Sequence, residues 1–387
     1  MTRFARNRLA IVLAGSLFAG LSVAFIIGKA RGKIETAHQA EHAVARMTAN
    51  LKTVCMGRFL VDLPKEARVE LERASVDGFQ VAAFPENRQD FETRLSKREA
   101  QIKAAPDRLG GNKNLELLHD VAINQFKGKL FVHGRTVTEG TASNGLEIER
   151  YRYEGIAFDA MVHKKGISVN LTADDYNVNG FNNLAKLVGQ IEPRPENEAP
   201  TSGGFCVDHA FLRDPLDAKQ HESIMMFAHL PSHPDVHFTL ILAAGVKPSK
   251  AGLLQRDATA EAQLSMAQRM RLTKLRAGAR TIGSLSGDEV IRRVSEENGA
   301  NVHSFWWEVE GSESDVLVPH LVFKMNTGNG VNGPVPSSLS DGAALALWDT
   351  ILSSIRLHHA HTPKPPVAST RTTTASAYVS APRQAAH

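Results

Sequence analysis

Cysteine is nearly absent from this sequence: Cys55 and Cys206 are the only two in 387 residues. That excludes a zinc ribbon and a disulfide-dense scaffold. Aromatic side chains make up 6%, too few for a platform that stacks single-stranded nucleic acid or sugar. Neither sign of charge dominates, with 45 Lys+Arg against 41 Asp+Glu and a net charge of +4. Nucleic acid is therefore not an expected partner. A long uncharged apolar run occurs in one place only, near the amino terminus, so a polytopic membrane protein is excluded as well. What is present, 42% hydrophobic and 22% charged residues, is the composition of a folded soluble body, and the length suggests about two domains.

Catalytic signatures are missing too. There is no G-x-S-x-G elbow, since GSLSG at Gly283 has the wrong spacing, and no phosphate-cradling or dinucleotide-binding glycine loop. His233 and His237, with His229 and His209 nearby, would suit a metal on a helix, but Pro231 and Pro234 forbid a helix there. Asp174-Asp175 and the group Glu308, Glu310, Glu313 and Asp315 read as solvated edges. The expectation is a protein that is not an enzyme, with no metal and no cofactor.

The two ends differ from the body. Arg3, Arg6 and Arg8 precede an uncharged run from Leu9 to Gly28, and Lys29, Arg31 and Lys33 follow it. Twenty helical residues span a bilayer core of about 30 Å. Residues 9–28 are thus expected to be a transmembrane anchor, single-pass in the inner membrane with the body in the periplasm. Cleavage near Ser22-Val23-Ala24 would instead release a soluble periplasmic protein. At the other end, residues 359–387 are rich in Pro, Ser, Thr and Ala and read as a disordered tail.

Laid against itself, the body repeats. CMGRFLVDLP from Cys55 corresponds to CVDHAFLRDP from Cys206, and Arg135-Thr136-Val137 to Arg280-Thr281-Ile282. NGLEIERYRYEG from Asn144 corresponds to SGDEVIRRVSEENG from Ser286. Leu184, Leu187, Val188 and Ile191 match Trp348, Ile351, Leu352 and Ile355, each set one buried helix face. Two modules, 50–195 and 204–358, are expected on either side of a Pro-rich linker at 196–203, which either fixes their angle or hinges. The fold class is α+β: each module a mainly antiparallel sheet packed with helices. Strands are expected at Phe79, Ser223, Phe238, Phe305 and Val316, and a hairpin turning at Lys164-Lys165-Gly166. Helices are expected from Phe91 and, as one long amphipathic element, from Thr259 to Gly278.

Two features invite a role. Cys55 and Cys206 hold equivalent repeat positions. A disulfide would tie the modules together, and two separately buried thiols are the alternative. In a strand, Trp306, Glu308 and Glu310 share one face, which makes them the candidate partner-binding residues.

Five segments carry a resemblance to a known family: TVCMGRFLVDLP, GGFCVDHAFLRDPL, MMFAHLPSHPDV, SDVLVPHLVFKMNTG and VPSSLSDGAALALWDTILSSIRL. Over residues 50–358 the chain resembles the type VI secretion immunity proteins that neutralise antibacterial phospholipase effectors. The resemblance implies two α+β domains, a location outside the cytoplasm, and a cognate lipase effector gripped and held inactive. It carries over no active-site residue. A membrane-anchored envelope scaffold or assembly factor is the competing reading.

Overall fold

Tight turns organise the chain. Asp77-Gly78 (φ 53° and 80°), Asn124-Gln125 and Lys165-Gly166 (φ 51° and 79°) are consecutive left-handed pairs, the geometry that matches the twist of two-residue hairpins. The computed structural model describes residues 44–358, except 112, 146, 196–197 and 215–219. The anchor run at 9–28 and the tail at 359–387 lie outside the described residues. No described helix is long and apolar enough to cross a membrane.

The first half contains β1 (Leu51–Met56), β2 (Phe59–Pro64), β3 (Arg68–Val76), β4 (Phe79–Pro85), α1 (Arg88–Ala104), β5 (Leu115–Ile123), β6 (Phe126–Asn144), β7 (Glu147–Lys164), β8 (Ile167–Asn177), α2 (Phe181–Gln190) and β9 (Ile191–Pro193). The second contains β10 (Gly204–Val207), β11 (Ala210–Arg213), β12 (Glu222–Leu230), β13 (His233–Ala244), α3 (Leu253–Ala262), α4 (Met266–Met270), β14 (Leu272–Ile282), β15 (Leu285–Ser295), β16 (Asn301–Val309), β17 (His320–Thr327), β18 (Asn329–Gly330), β19 (Gly333–Pro334), α5 (Asp341–Ser353) and β20 (Arg356–Leu357).

The two halves do not carry separate sheets. One 12-stranded antiparallel sheet runs β14-β15-β16-β17-β13-β12-β3-β4-β8-β7-β6-β5. Read outward from its centre, each half has the same order, so β3 corresponds to β12, β4 to β13, β8 to β17 and β7 to β16. The seam is the β12–β3 pairing, which includes Glu222↔Val76, Met226↔Leu71 and His229↔Arg68. Such a ladder fixes the halves relative to each other, so the fixed angle holds at this joint and the hinge does not. It also corrects the middle of the repeat. Arg135 lies on β6 and Arg280 on β14, whose structural counterpart is β5, so those blocks align one strand out of step; NGLEIERYRYEG and SGDEVIRRVSEENG are displaced likewise.

The end blocks are exchanged between halves. The β1–β2 hairpin takes β20, from the end of the second half, against β2, and the β10–β11 hairpin takes β9, from the end of the first, against β11. Arg356 reaches Asp62 at 2.9 Å to hold one of these joints.

The expected long helix from Thr259 is a further correction. α3 stops at Ala262, Ser265 restarts a single turn with a reciprocal capping box to Gln268, and from Leu272 the chain is a strand. An N-cap serine mid-segment breaks the helix, and the charges spaced along it serve equally as the outward side of an edge strand. VLVPHLVFKM begins as a turn, because Pro319 delays the strand until His320.

α2 and α5 pack on one face of the sheet. There Leu184, Leu187, Val188, Trp348, Ile351 and Leu352 join Phe305, Trp307 and Phe323 in the main core, all essentially inaccessible. Trp348 stacks on Phe323 with centroids 4.9 Å apart, and its indole N–H donates to Glu289 at 2.7 Å. Arg276 and Arg280 bridge Glu289 to Asp349, fastening α5 to the outer strands.

Candidate functional site

Partners across an antiparallel ladder point to the same side of a sheet. The registers therefore define a row across the face opposite α5: Glu70, Phe227, Thr239, Lys324, Trp306 and Val290. Met225 and Ile241 lie in one neighbouring row, and His229, His237 and Asn326 in the other. The alternate residues Ile224, Met226, Leu240 and Phe323 are the buried ones, so this row looks away from the core.

α1 and α3 stand on this same face. The register Ser75↔Gln80↔Thr172↔Asp159 continues the face into the first half, and Arg98 of α1 reaches Asp159 at 2.6 Å. Arg94 of α1 lies 5.0 Å over Phe84, and it donates to Glu86 at 2.9 Å and to Asn170 at 3.1 Å. Arg256 of α3 mirrors it in the second half, bonding Glu308 at 2.6 Å and Glu310 at 3.2 Å. The result is a trough with two helical walls, each pinned to the floor by an arginine. Its floor crosses the seam between the halves, where Glu70, Glu72 and Phe227 are exposed. Phe227 leaves 39% of its surface to solvent at the middle of the floor.

Trp306 belongs to this floor, half-buried, with the Lys324 ammonium 3.7 Å from its ring centre. Burial pushes Lys324 below its ordinary value, although Glu308 pulls the other way. Glu308 and Glu310 are placed differently from the free carboxylates expected beside it. Glu308 is buried between Arg256 and His320, and Glu310 accepts from Arg256 and from the Ser249 amide. Burial by itself would raise Glu308, but the His320 and Arg256 bonds outweigh it and hold the carboxyl below its usual range. Both glutamates fasten α3, and the side chains that keep exposed surface on this part of the floor are Phe227, Lys324 and Trp306. SIMMFAHL is apolar on both faces, so the sequence gives no sign that Phe227 is uncovered; only the register does. His229 and His237 are cross-strand neighbours on this face and His209 sits in the distant β10–β11 turn. Among the described residues no group of His, Cys, Asp and Glu could hold a metal.

A second exposed feature projects from the first half. Residues 136–144 of β6 and 147–155 of β7 pair only with each other over most of this length, forming a two-stranded arm beyond the sheet. It carries Ile148, Tyr151 and Tyr153 exposed. Tyr151 lies across Gly140, where an added Cβ would meet its hydroxyl at 2.5 Å, and the Tyr153 hydroxyl donates to the Asp175 carbonyl. The shorter strands β15 and β16 form no such arm.

Behind the trough, Cys55 and Cys206 are joined by a disulfide, with Cα atoms 5.8 Å apart. Gly57 exchanges both backbone hydrogen bonds with Cys206 (2.9 and 2.8 Å). It adopts φ 56°, and an added Cβ would press on Leu242, Phe205 and Ile224 at 3.1–3.3 Å, so glycine alone suits this turn. The next residue, Arg58, is buried and clamps Glu222 of β12 through two bonds of 2.7 and 2.8 Å, with Asp214 at 3.2 Å. Burial alone would lower the Arg58 guanidinium, but Glu222 and Asp214 outweigh it and raise it.

Two family models match this chain. That of the Tle cognate immunity protein 4 N-terminal domain covers residues 52–170, and that of the C-terminal domain covers residues 198–360. Together they span well over half of the sequence. Among solved structures, the fold is similar to immunity protein TplEi of the T6SS from Pseudomonas aeruginosa complexed with "L" peptide: TM-score 0.64, 23% identity, covering 80% of this chain and 98% of that one. The apo form of TplEi is similar to the same degree, covering 97% of its own chain. So is a chain of the Tle4–Tli4 complex, with a TM-score of 0.65 and 23% identity over 80% of this chain and 98% of that one. Among curated proteins no sequence matches.

Proposed function

This chain belongs to the Tle cognate immunity protein 4 family, and from that premise we propose that it binds a cognate phospholipase effector of the type VI secretion system and silences it by occupancy, without chemistry of its own. The observation that carries the reading is the trough. Two helical walls, one from each half, flank an uncovered floor bearing Phe227, Lys324 and Trp306, in a chain matched by both family domains. The effector would be gripped between the two modules, with aromatic and cationic anchors at the middle of the contact. Because the β12–β3 ladder fixes the halves, the grip would be that of a preformed seat, which spares the cost of ordering it on binding. A stable inhibitor of this kind buries on the order of 1,200–2,000 Å² in total.

The effector would be met outside the cytoplasm, with residues 9–28 holding the body at the periplasmic side of the inner membrane. The Cys55–Cys206 disulfide supports an oxidising compartment. The test is to mix the purified chain with a candidate phospholipase effector from the same type VI secretion system and follow fatty-acid release. A silent one-to-one complex is expected. An effector that stays active with the chain in saturating excess would overturn the reading.

A further inference from the structure

The registers bring several strand ends to one side of the sheet: Arg68 opening β3, Pro85 closing β4, Phe126 opening β6, Lys164 closing β7, Leu230 closing β12 and His233 opening β13. The amino-terminal segment enters here, since Arg46, Met47 and Asn50 line a cleft with Lys65, Glu66, Ser232 and His233. A second cleft of about 220 Å³ lies along the same side, between the start of α1 and the β5–β6 and β7–β8 turns. It is walled by Arg88, Lys127, Lys164 and Lys165, with His163 behind them and Glu92 as its carboxylate.

The lysine charges in this second cleft are uncompensated. Glu92 is held by Arg88 at 2.7 Å, and among the described residues no carboxylate forms an ion pair with Lys127, Lys164 or Lys165. The Lys164 ammonium stands 5.3 Å from the Phe126 ring centre, which fixes it at the rim. Lys165 is presented at the tip of its hairpin by a left-handed backbone. At the opposite side of the sheet the β16–β17 loop carries Glu310, Glu313 and Asp315, with Glu310 paired to Arg256.

We propose that this basic side is a docking face for anionic phospholipid headgroups, with the cleft between Arg88, Lys127, Lys164 and Lys165 seating a headgroup phosphate. Two independent observations select that occupant. One is the set of three lysines, none in an ion pair among the described residues, that surrounds this opening beside the Arg88–Glu92 pair. The other is the 43-residue segment that joins the body at these same strand ends and contains an uncharged run of bilayer length. Juxtamembrane cations gain affinity from an anionic leaflet that falls off within a Debye length, so they act only if the body is held with this side down. Tethered that way, the protein stands with its acidic loop away from the bilayer and the trough, which lies across the sheet, open sideways.

The test uses the full chain reconstituted in phosphatidylcholine vesicles, with or without 30% phosphatidylglycerol, and reads amide exchange in the turns at 124–127 and 163–166. Protection is expected to rise at least several-fold with phosphatidylglycerol, to vanish in about 0.5 M salt, and to be lost in the Lys127→Gln/Lys164→Gln/Lys165→Gln variant. The Lys→Arg version of the same triple change should keep it, which separates lost charge from lost folding. Equal exchange in both lipids, or the same protection from inorganic phosphate alone, would overturn the proposal. Flotation of the chain with pure phosphatidylcholine vesicles reports on the amino-terminal anchor separately, so the anchor can stand while the headgroup face falls.

Discussion

Replacing Arg58 by Met should strand a charge. The Glu222 side chain has no exposed surface and its two oxygens are taken by the Arg58 guanidinium at 2.7 and 2.8 Å. Burial pushes the Glu222 carboxyl up, against the pull of Arg58. Without that pull, the folded state must keep a bare carboxylate in the interior or take up a proton. Breaking a buried pair from one side costs about 3–5 kcal/mol, so with a urea slope of about 3 kcal/mol/M the midpoint should fall by roughly 1–1.5 M. The double variant Arg58→Met/Glu222→Met removes both charges and should recover most of the loss. The pH dependence follows from the sign of the shift. A carboxyl raised in the folded state binds more protons there than in the unfolded chain. Its stabilisation is full below the unfolded value of about 4.3 and is lost as pH rises through the folded value. The deficit of the single variant should therefore shrink between pH 8 and pH 5. Urea melts at several pH values test this. A double variant no more stable than the single, or a deficit that ignores pH, would refute the stranded-charge argument.

Three further outcomes are expected. Reducing the Cys55–Cys206 bond, or Cys55→Ser/Cys206→Ser, opens a loop of 151 residues. The loop-entropy estimate puts the loss at about 5 kcal/mol, readable as the difference between oxidised and reduced urea melts. Phe227→Ala should weaken effector binding by about 2 kcal/mol in calorimetry while leaving the melting temperature within a few degrees, because the side chain faces the trough and not the core. Acid should unfold the chain through its paired carboxylates. Glu86 is held below its ordinary value chiefly by Arg94; burial alone would raise Asp159 and Asp349, but their partners, His133 with Arg98 and the Arg276–Arg280 pair, outweigh it and lower both. These depressed groups contribute stability above about pH 4 that is lost as pH falls through their folded values; a melting temperature that stays flat from pH 6 to pH 3 would contradict the assignment.

Local chemistry was legible where one residue type has one reading. Lys165-Gly166 marks a hairpin because its backbone must turn left-handed, and Leu184–Ile191 and Trp348–Ile355 mark helix faces because their spacing fits no other element. The cysteines marked equivalent repeat positions, which fall on β1 and β10. What escaped depends on long-range pairing. Arg68–Val76, a strand with charged and apolar residues in alternation, meets β12 across some 150 residues, and nothing local announces that it is the seam. Without the seam, the continuous sheet and the trough across it are invisible. The segment from Thr259 failed differently, since its residues suit a helix or an edge strand and only Ser265 decides. The face on which Trp306 lies followed from strand parity, whereas the fate of Glu308 rested on Arg256, a residue more than fifty positions away.

The exchange of terminal strands has a consequence for the order in which the fold can close. The hairpin at Leu51–Pro64 emerges near the beginning of the body, yet its third strand is Arg356–Leu357, almost the last described residues. Until those residues are delivered, β2 keeps an open edge and Asp62 waits for Arg356. The topology thus postpones closure of this three-stranded sheet until the last described residues of the body are present, however much of the twelve-stranded sheet has already paired.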